Sequence, residues 1–491
     1  MNIDYINAAR SLKQCTLGYR KEDVEQVIAL GGIENWIDEQ AFLPASSWRE
    51  LYKESAAADT WNGVYAYVSS WDALNMEGKD LLRQRIAYVL SQLFVVSTND
   101  LALTPHSRRE YMCNYYDGLL TNGLGNFADV IRFVSTSPIM GEYLTFVDNV
   151  SNESTAPDEN YARELLQLFT LGTTQLAWDG SVKYDENGNE RPAYTQEDIE
   201  ELARVFTGWE WHDRTTPIKY SAPMVPTGEH DMGSKVILGK TFPAGQTAEQ
   251  DLEMLIDRLM SREQLYTFVA KFFITKMVTS NPSPHYIRRV RNAFSESRGD
   301  LLVLAKAILT DKDALRTDDK CVKVRDPIIV FTHAMKAFGL RRTNENKVWP
   351  AIAAYSRLMP MGAPSVFYHY KPDDKPNNEL FKNLVAPEFN VYQWHNLYEH
   401  GSLFGSYMRL QSEEREQYID PILFELYNNF DDEGVVNYLN ENLFDFQMSD
   451  YAKQSYFDFL SQCTRRHEGR TQDIKALIMN SLISPEFTIQ R

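Results

Sequence analysis

The stretch Pro157-Asp158-Glu159-Asn160-Tyr161-Ala162-Arg163-Glu164-Leu165-Leu166-Gln167-Leu168-Phe169-Thr170-Leu171-Gly172 decides how the chain is read. At about 3.6 residues per turn, Asn160, Arg163, Glu164 and Gln167 share one narrow stripe, and Tyr161, Ala162, Leu165, Leu166, Leu168 and Phe169 cover the rest. An ordinary surface helix shows less apolar circumference than that. The segment therefore reads as a helix buried on most sides, whose polar groups either reach a small seam or satisfy one another in a cleft. Asp158 and Glu159 precede it and are placed to cap and complement its positive end.

Outward from this helix the same periodicity recurs. Leu82, Ile86, Val89, Leu90 and Leu93 make one core-facing stripe, and Leu265, Phe268, Val269, Phe272, Phe273 and Met277 make another. Ser261 with Gln264 fits a capping box for the second, Pro284 suits the first turn of the next helix, and Asp300 and Asp326-Pro327 open two more. Strand signals are few. Asp179-Gly180 and Asn187-Gly188 are strong hairpin dipeptides, so a β-flap is expected over about 173–195. Asp185, Asn187 and Asn189 imitate a calcium loop, but Glu190 and Gln196 stand where Gly and Glu are needed, which favours a plain turn. The predicted fold is mainly α: one large multi-helical domain over residues 1–491, with long loops at about 211–245 and 359–395 over one face.

Composition narrows the function. Of 491 residues, 43% are hydrophobic and 24% charged, and 68 acidic against 50 basic residues leave a net charge of -18. That balance opposes binding to nucleic acid or anionic lipid. Even Leu81 to Val96 is interrupted by Arg83, Gln84, Arg85 and Gln92, so no membrane span is expected. Cys15, Cys113, Cys321 and Cys463 lack the spacing of zinc or redox motifs and read as free thiols. The start carries no signal-peptide pattern; taken literally the chain is cytoplasmic, or exported if a leader was removed.

Two clusters carry the candidate chemistry. On the first helix, Glu164 can serve as general acid or base while Asn160, Arg163 and Gln167 bind ligand; alternatively Arg163 or Arg204 pairs with Glu164 and fixes packing. In the loop His230-Asp231-Met232-Gly233-Ser234-Lys235, His230 and Asp231 suit acid–base work, and Lys235 with Arg204 suits anion capture. The alternative there is a turn whose carboxylate bonds nearby backbone. His212-Asp213-Arg214 repeats the idea more weakly. His106, His333, His369, His395 and His400 show no ligand spacing, so no metal and no other cofactor is expected, and His333 reads as core. Phe367-Tyr368-His369-Tyr370 and Tyr392-Gln393-Trp394-His395-Asn396-Leu397-Tyr398 can stack on sugars or plug a core. Nucleophile elbow, Walker loop, dinucleotide fingerprint and zinc-helix motifs do not occur.

Several segments together resemble the mostly bacterial family known as domain of unknown function 1800. They include Ala8-Ala9-Arg10-Ser11-Leu12 with Thr16-Leu17-Gly18, Arg83-Gln84-Arg85, the Asp158 to Gly172 helix, Leu202 to Trp209, His230 to Lys235, Ser280-Asn281-Pro282-Ser283-Pro284, Pro364 to Phe367, Leu384 to Phe389 and Ser484-Pro485-Glu486-Phe487. The resemblance implies a mostly helical fold and brings no established activity. Relatives with export signals, encoded beside sulfatase-like proteins, imply work on surface or extracellular polymers. In a number of relatives Glu and His stand where this chain has Gln167 and Phe169, a departure that removes two possible metal ligands. Two functions follow as expectations. One is an enzyme, or the binding part of an enzyme system, acting on a polysaccharide or similar polymer with an anionic or saccharide ligand. The other is a non-catalytic helical scaffold that docks a sulfatase-like partner or an envelope assembly.

Overall fold

Leu82, Ile86, Val89, Leu90 and Leu93 recur at helical spacing, and helix Leu81–Leu93 buries all five. It buries almost every other position as well, including the polar Gln84, Arg85 and Gln92. A helix greasy on all sides must be wrapped by others, and this one is packed by Pro105–Asn122, Ile3–Cys15, Ile33–Ala41 and Glu263–Met277. In the computed structural model of the protein, residues 3–58, 64–98, 105–151, 155–215, 221–316, 323–338, 359–375, 384–392, 425–426, 428–462 and 467–490 are described. The fold is mainly α, and the described strands form three two-stranded antiparallel sheets. One apolar cluster runs from Ala8 to Phe487, so helices from both ends of the chain share a core.

Successive helices pair as hairpins: Trp48–Ala58 with Val64–Glu77, Glu263–Met277 with Pro284–Glu296, and the latter with Leu301–Leu309. Local chemistry sets their starts. Asp300 accepts from the Val303 amide at 3.0 Å, Asp326 from the Ile328 amide at 3.1 Å, and Ser283 from the Tyr286 amide at 3.1 Å, with Pro284 and Pro327 in the first turns. The expected Ser261–Gln264 box is not the cap of its helix. Glu263–Met277 starts after Arg262, and Ser261 ends the preceding helix Ala248–Met260. Gln264 is spent on tertiary bonds: its amide donates to the Leu171 and Thr174 carbonyls at 2.8 and 2.7 Å and accepts from the Leu176 amide at 2.8 Å. A side chain that reaches three backbone groups across the chain has nothing left for its own helix end.

Those bonds anchor the flap. Over 173–195 the chain folds through bridges Thr174↔Pro192, Leu176↔Val182 and Tyr184↔Glu190. Gly180 turns at φ +80, where an added Cβ would stand 2.8 Å from Ile287, and Trp178 stacks under Arg288 at 4.9 Å. Asp185 accepts from the Asn187 and Asn189 amides, both at 2.8 Å, the bonding of a plain turn. Of the region expected as a long loop at about 211–245, residues 216–220 lie outside the described residues, and the described part carries two short pairings that its Pro, Thr and Gly content did not suggest: Trp209–Glu210 with Val225–Pro226, and Lys235–Ile237 with Lys240–Phe242. Of the loop at about 359–395, residues 376–383 and 393–395 lie outside the described residues. In its described part Tyr368 and Tyr370 are buried, and Tyr370 donates to Asp326 at 3.0 Å. Phe367 is partly exposed.

His333 is fully buried, its Nδ1 accepting from Arg325 at 2.9 Å. Cys15 and Cys113 are buried free thiols, whereas Cys321 and Cys463 lie outside the described residues, as do the side chains of His106, His395 and His400. Among the described residues no helix is long and apolar enough to cross a membrane.

Candidate functional site

The stripe helix begins as an α-helix, Asn160–Glu164, and continues as a π-helix, Leu165–Thr170. The Leu171 amide reaches back five residues to the Leu166 carbonyl at 2.9 Å, and the Thr170 hydroxyl to the Leu165 carbonyl at 2.5 Å. Six consecutive π-helical residues are rare and cluster at functional places. The wider turn displaces the expected pattern: Thr170 is buried, while Leu168 and Gln167 are each only half-buried. Tyr161, Ala162, Leu165, Leu166 and Phe169 are buried as expected.

At the start of the helix the polar side chains satisfy one another near the surface. Asp158 Oδ1 accepts from the Asn160 amide at 2.8 Å and so caps the helix, and its Oδ2 accepts from Thr145 at 3.0 Å. Asn160 is exposed and donates to the same threonine hydroxyl at 2.8 Å. Glu159 makes no cap. It pairs with Arg163 one turn on, at 2.7 Å, and Gln196 donates to it at 3.0 Å. An i,i+4 pair this open contributes only about 0.3–0.5 kcal/mol.

Glu164 differs from its neighbours. Neither Arg163 nor Arg204 bonds it, so the expected ion pair is absent. Its Oε2 is sealed from water without a hydrogen-bond partner. Burial pushes its carboxyl up from the ordinary range, and the charge of Arg163 only partly opposes that. Gln167, the fourth stripe residue, has no side-chain hydrogen bond among the described residues.

Gly208 brings the second cluster in. At φ +73, a Cβ there would stand 2.5 Å from the His230 amide nitrogen, so glycine lets the loop lie against the end of helix Gln196–Val205. His230 Nδ1 lies 3.0 Å from the Thr207 carbonyl and Nε2 lies 3.1 Å from Asp251 Oδ2. Lys235 Nζ donates to the same Asp251 oxygen at 2.6 Å and to the Gly233 carbonyl at 3.2 Å. The His230, Lys235 and Asp251 side chains are 4%, 1% and 0% exposed, so no ligand reaches them without opening the loop.

Beside them, Arg204 clamps Asp231 with two bonds of 2.8 and 3.1 Å and holds Glu201 at 2.9 Å. The Arg204 hydrogen bonds, backed by the Gly233 amide, hold the Asp231 carboxyl well below the usual range. Among the described residues, no hydrogen bond or ion pair joins this cluster to the Arg163–Glu159 group. His212-Asp213-Arg214 is a surface turn, in which Arg214 pairs with Asp148 and Glu210 and Asp213 accepts from the Thr215 amide at 2.8 Å.

A third charged group was not singled out in the sequence. Arg85 and Gln92 from helix Leu81–Leu93, Lys276 from Glu263–Met277, and Lys323, Arg325 and Asp326 at the head of Pro327–Ala337 line an enclosed cavity with Tyr370, Glu388 and Gln490. The pairing of Lys323–Val324 with Ile489–Gln490 closes one side. None of the expected site residues is in its wall. The sequence signal was a cation inside an apolar run: Arg85 counted against a membrane span and toward the family resemblance but not as a site residue, and Lys276 was passed over between Ile274 and Met277. Among the described residues, no three His, Cys, Asp or Glu side chains are grouped to hold a metal ion.

No curated protein and no solved structure matches the chain. The family match covers nearly all of the helical array just described, including the stripe helix, the His230 loop and every residue of the cavity wall except Gln490. A family model described as "Protein of unknown function (DUF1800)" matches residues 10–489, and the chain belongs to that family.

Proposed function

We propose that the face around Glu164 handles a polysaccharide or comparable extracellular polymer, as an enzyme or as the binding part of an enzyme system, with Glu164 as its proton donor. One observation carries this reading: of the charged groups expected to act, Glu164 is the one not consumed by a structural bond. A carboxyl kept partly desolvated holds its proton to higher pH and can donate it to a glycosidic or hydroxyl oxygen. The rare π-turn that follows it widens the helix at that point. Arg163 is already engaged by Glu159 and Gln196, so it offers little to an anionic ligand. The net charge of -18 also repels polyanions. The favoured substrate class is therefore a neutral or amino-bearing glycan.

The scaffold reading, docking a sulfatase-like partner or an envelope assembly, draws support from the His230–Asp251–Lys235 and Arg204–Asp231 groups, which are closed on themselves. Calorimetric titration of the wild type and Glu164→Gln with dextran, chitosan and heparin separates the two. The proposal expects binding to dextran or chitosan that falls by about tenfold or more in the variant, a loss of about 1.4 kcal/mol, with an unfolding midpoint at or above that of the wild type. No binding to any of the three, together with a midpoint lowered in the variant, would favour the scaffold.

A further inference from the structure

The enclosed cavity at Arg85 is unbalanced in charge. Arg85, Lys276, Lys323 and Arg325 face Asp326 and Glu388, four cations against two carboxylates, an excess of two when all are ionised. All six are buried. Both carboxylates are already engaged. Glu388 accepts from Lys323 at 2.5 Å, and Asp326 caps its helix and accepts from Tyr370 at 3.0 Å.

The arginines spend their hydrogen bonds on neutral groups. Arg85 donates to the Gln14 and Lys276 carbonyls at 3.3 and 2.7 Å, and Arg325 to the Phe487 carbonyl at 3.1 Å and to His333 at 2.9 Å. Such bonds satisfy donors without neutralising charge. A further carboxylate whose charge acts on Arg325, that of Asp445, is held by Lys13 at 2.5 Å and by Tyr19. Two donors are left over. Arg325 Nε is sealed from water without an acceptor. The Lys276 ammonium makes no hydrogen bond among the described residues and rests 4.4 Å from the centre of the Tyr370 ring. Burial, with Lys323 and Arg85 close by and Glu388 opposing, brings Lys276 down to about 8.

The space left for the centre of a water-sized particle is about 10 Å³, room for about one such particle. We propose that this cavity binds a single small monovalent anion, of the size and charge of chloride, against Lys276 and Arg325. An anion there offsets buried positive charge that no protein group neutralises. The competing occupant is water, which could also donate to Gln92 Oε1 and Glu388 Oε2, both buried without partners. Water would leave the charge excess as it is.

Bromide distinguishes the two, because it replaces chloride and scatters anomalously. Crystals of the full chain grown in sodium bromide should give a bromine peak between Lys276 and Arg325. The unfolding midpoint should rise by several degrees between sodium gluconate and sodium bromide at equal ionic strength. Lys276→Met, which keeps the volume and removes the charge, should abolish most of that rise. Ordinary water density without a bromine peak in the cavity, with equal midpoints in the two salts, would overturn the proposal. The anomalous map on the wild type decides even if the variant fails to fold.

Discussion

Two buried charged regions of this molecule follow opposite rules. Around His230, charges are closed on themselves: Asp251 answers His230 and Lys235, and Asp231 answers Arg204. Around Arg85, cations outnumber carboxylates and are held by carbonyls. A carboxylate that serves a buried lysine and a buried imidazole together is a structural keystone, whereas a cation with no counter-charge is a burden that the fold tolerates or that a bound ion relieves. The comparison teaches that density of polar residues in a sequence motif says little about availability. His230-Asp231 with Lys235 looked reactive and is fully employed, while Lys276, embedded in a greasy helix, is spare.

The largest expected effect breaks the balanced region. Asp251→Ala leaves the buried Lys235 ammonium unanswered and His230 Nε2 without a partner, and should cost about 3–5 kcal/mol in urea unfolding. A loss below about 1 kcal/mol would mean that the loop is not held as described.

Removing a cation from the unbalanced region should do the reverse. Lys276→Met, measured without halide, should be neutral or stabilising by about 1–4 kcal/mol. The pH dependence sharpens this. The folded value near 8 lies below the ordinary 10.5, so between these pH values the unfolded chain holds more protons than the folded one. The contribution of this lysine to stability therefore rises across that window and is worst below it. The rise should be missing in Lys276→Met; an identical profile in both proteins would refute the assignment.

Smaller still is the open pair at the stripe helix. Arg163→Ala should cost at most about 1 kcal/mol, since Glu159 is free to turn to water. A loss of several kcal/mol would show that this face is architectural.

Much of the fold was legible because periodicity and caps act locally. Leu82 through Leu93, Asp300 and Asp326-Pro327 behave as spacing and hydrogen bonding require, and Asp179-Gly180 turns where glycine permits it. The failures have physical causes. Gln264 was drawn away from its helix end by three distant backbone groups, and the π-turn after Glu164 broke a 3.6-residue pattern that has no sequence marker for it.

The site was harder to read. Charge partners such as Asp251 and Glu388 lie 16 to 65 residues from the lysines they bind, and no spacing rule reaches that far. Two family-motif glycines turn out to serve packing. Gly208 admits the His230 backbone, and Gly18 lies against His333, where a Cβ would stand 2.6 Å from Cα.

That Glu164 is an unpaired, partly desolvated acid is checked by the difference in unfolding midpoint between the wild type and Glu164→Gln, followed from pH 4 to pH 7. Its folded value is raised above the ordinary 4.5, so the folded state holds the proton longer and loses stability as pH climbs through that value. The account expects the two midpoints to lie close together at the acid end, with the glutamine variant gaining steadily on the wild type toward neutral pH. A glutamine variant that instead falls further behind as pH rises would mean that Glu164 is a paired carboxylate, and the proposed proton donor would be lost.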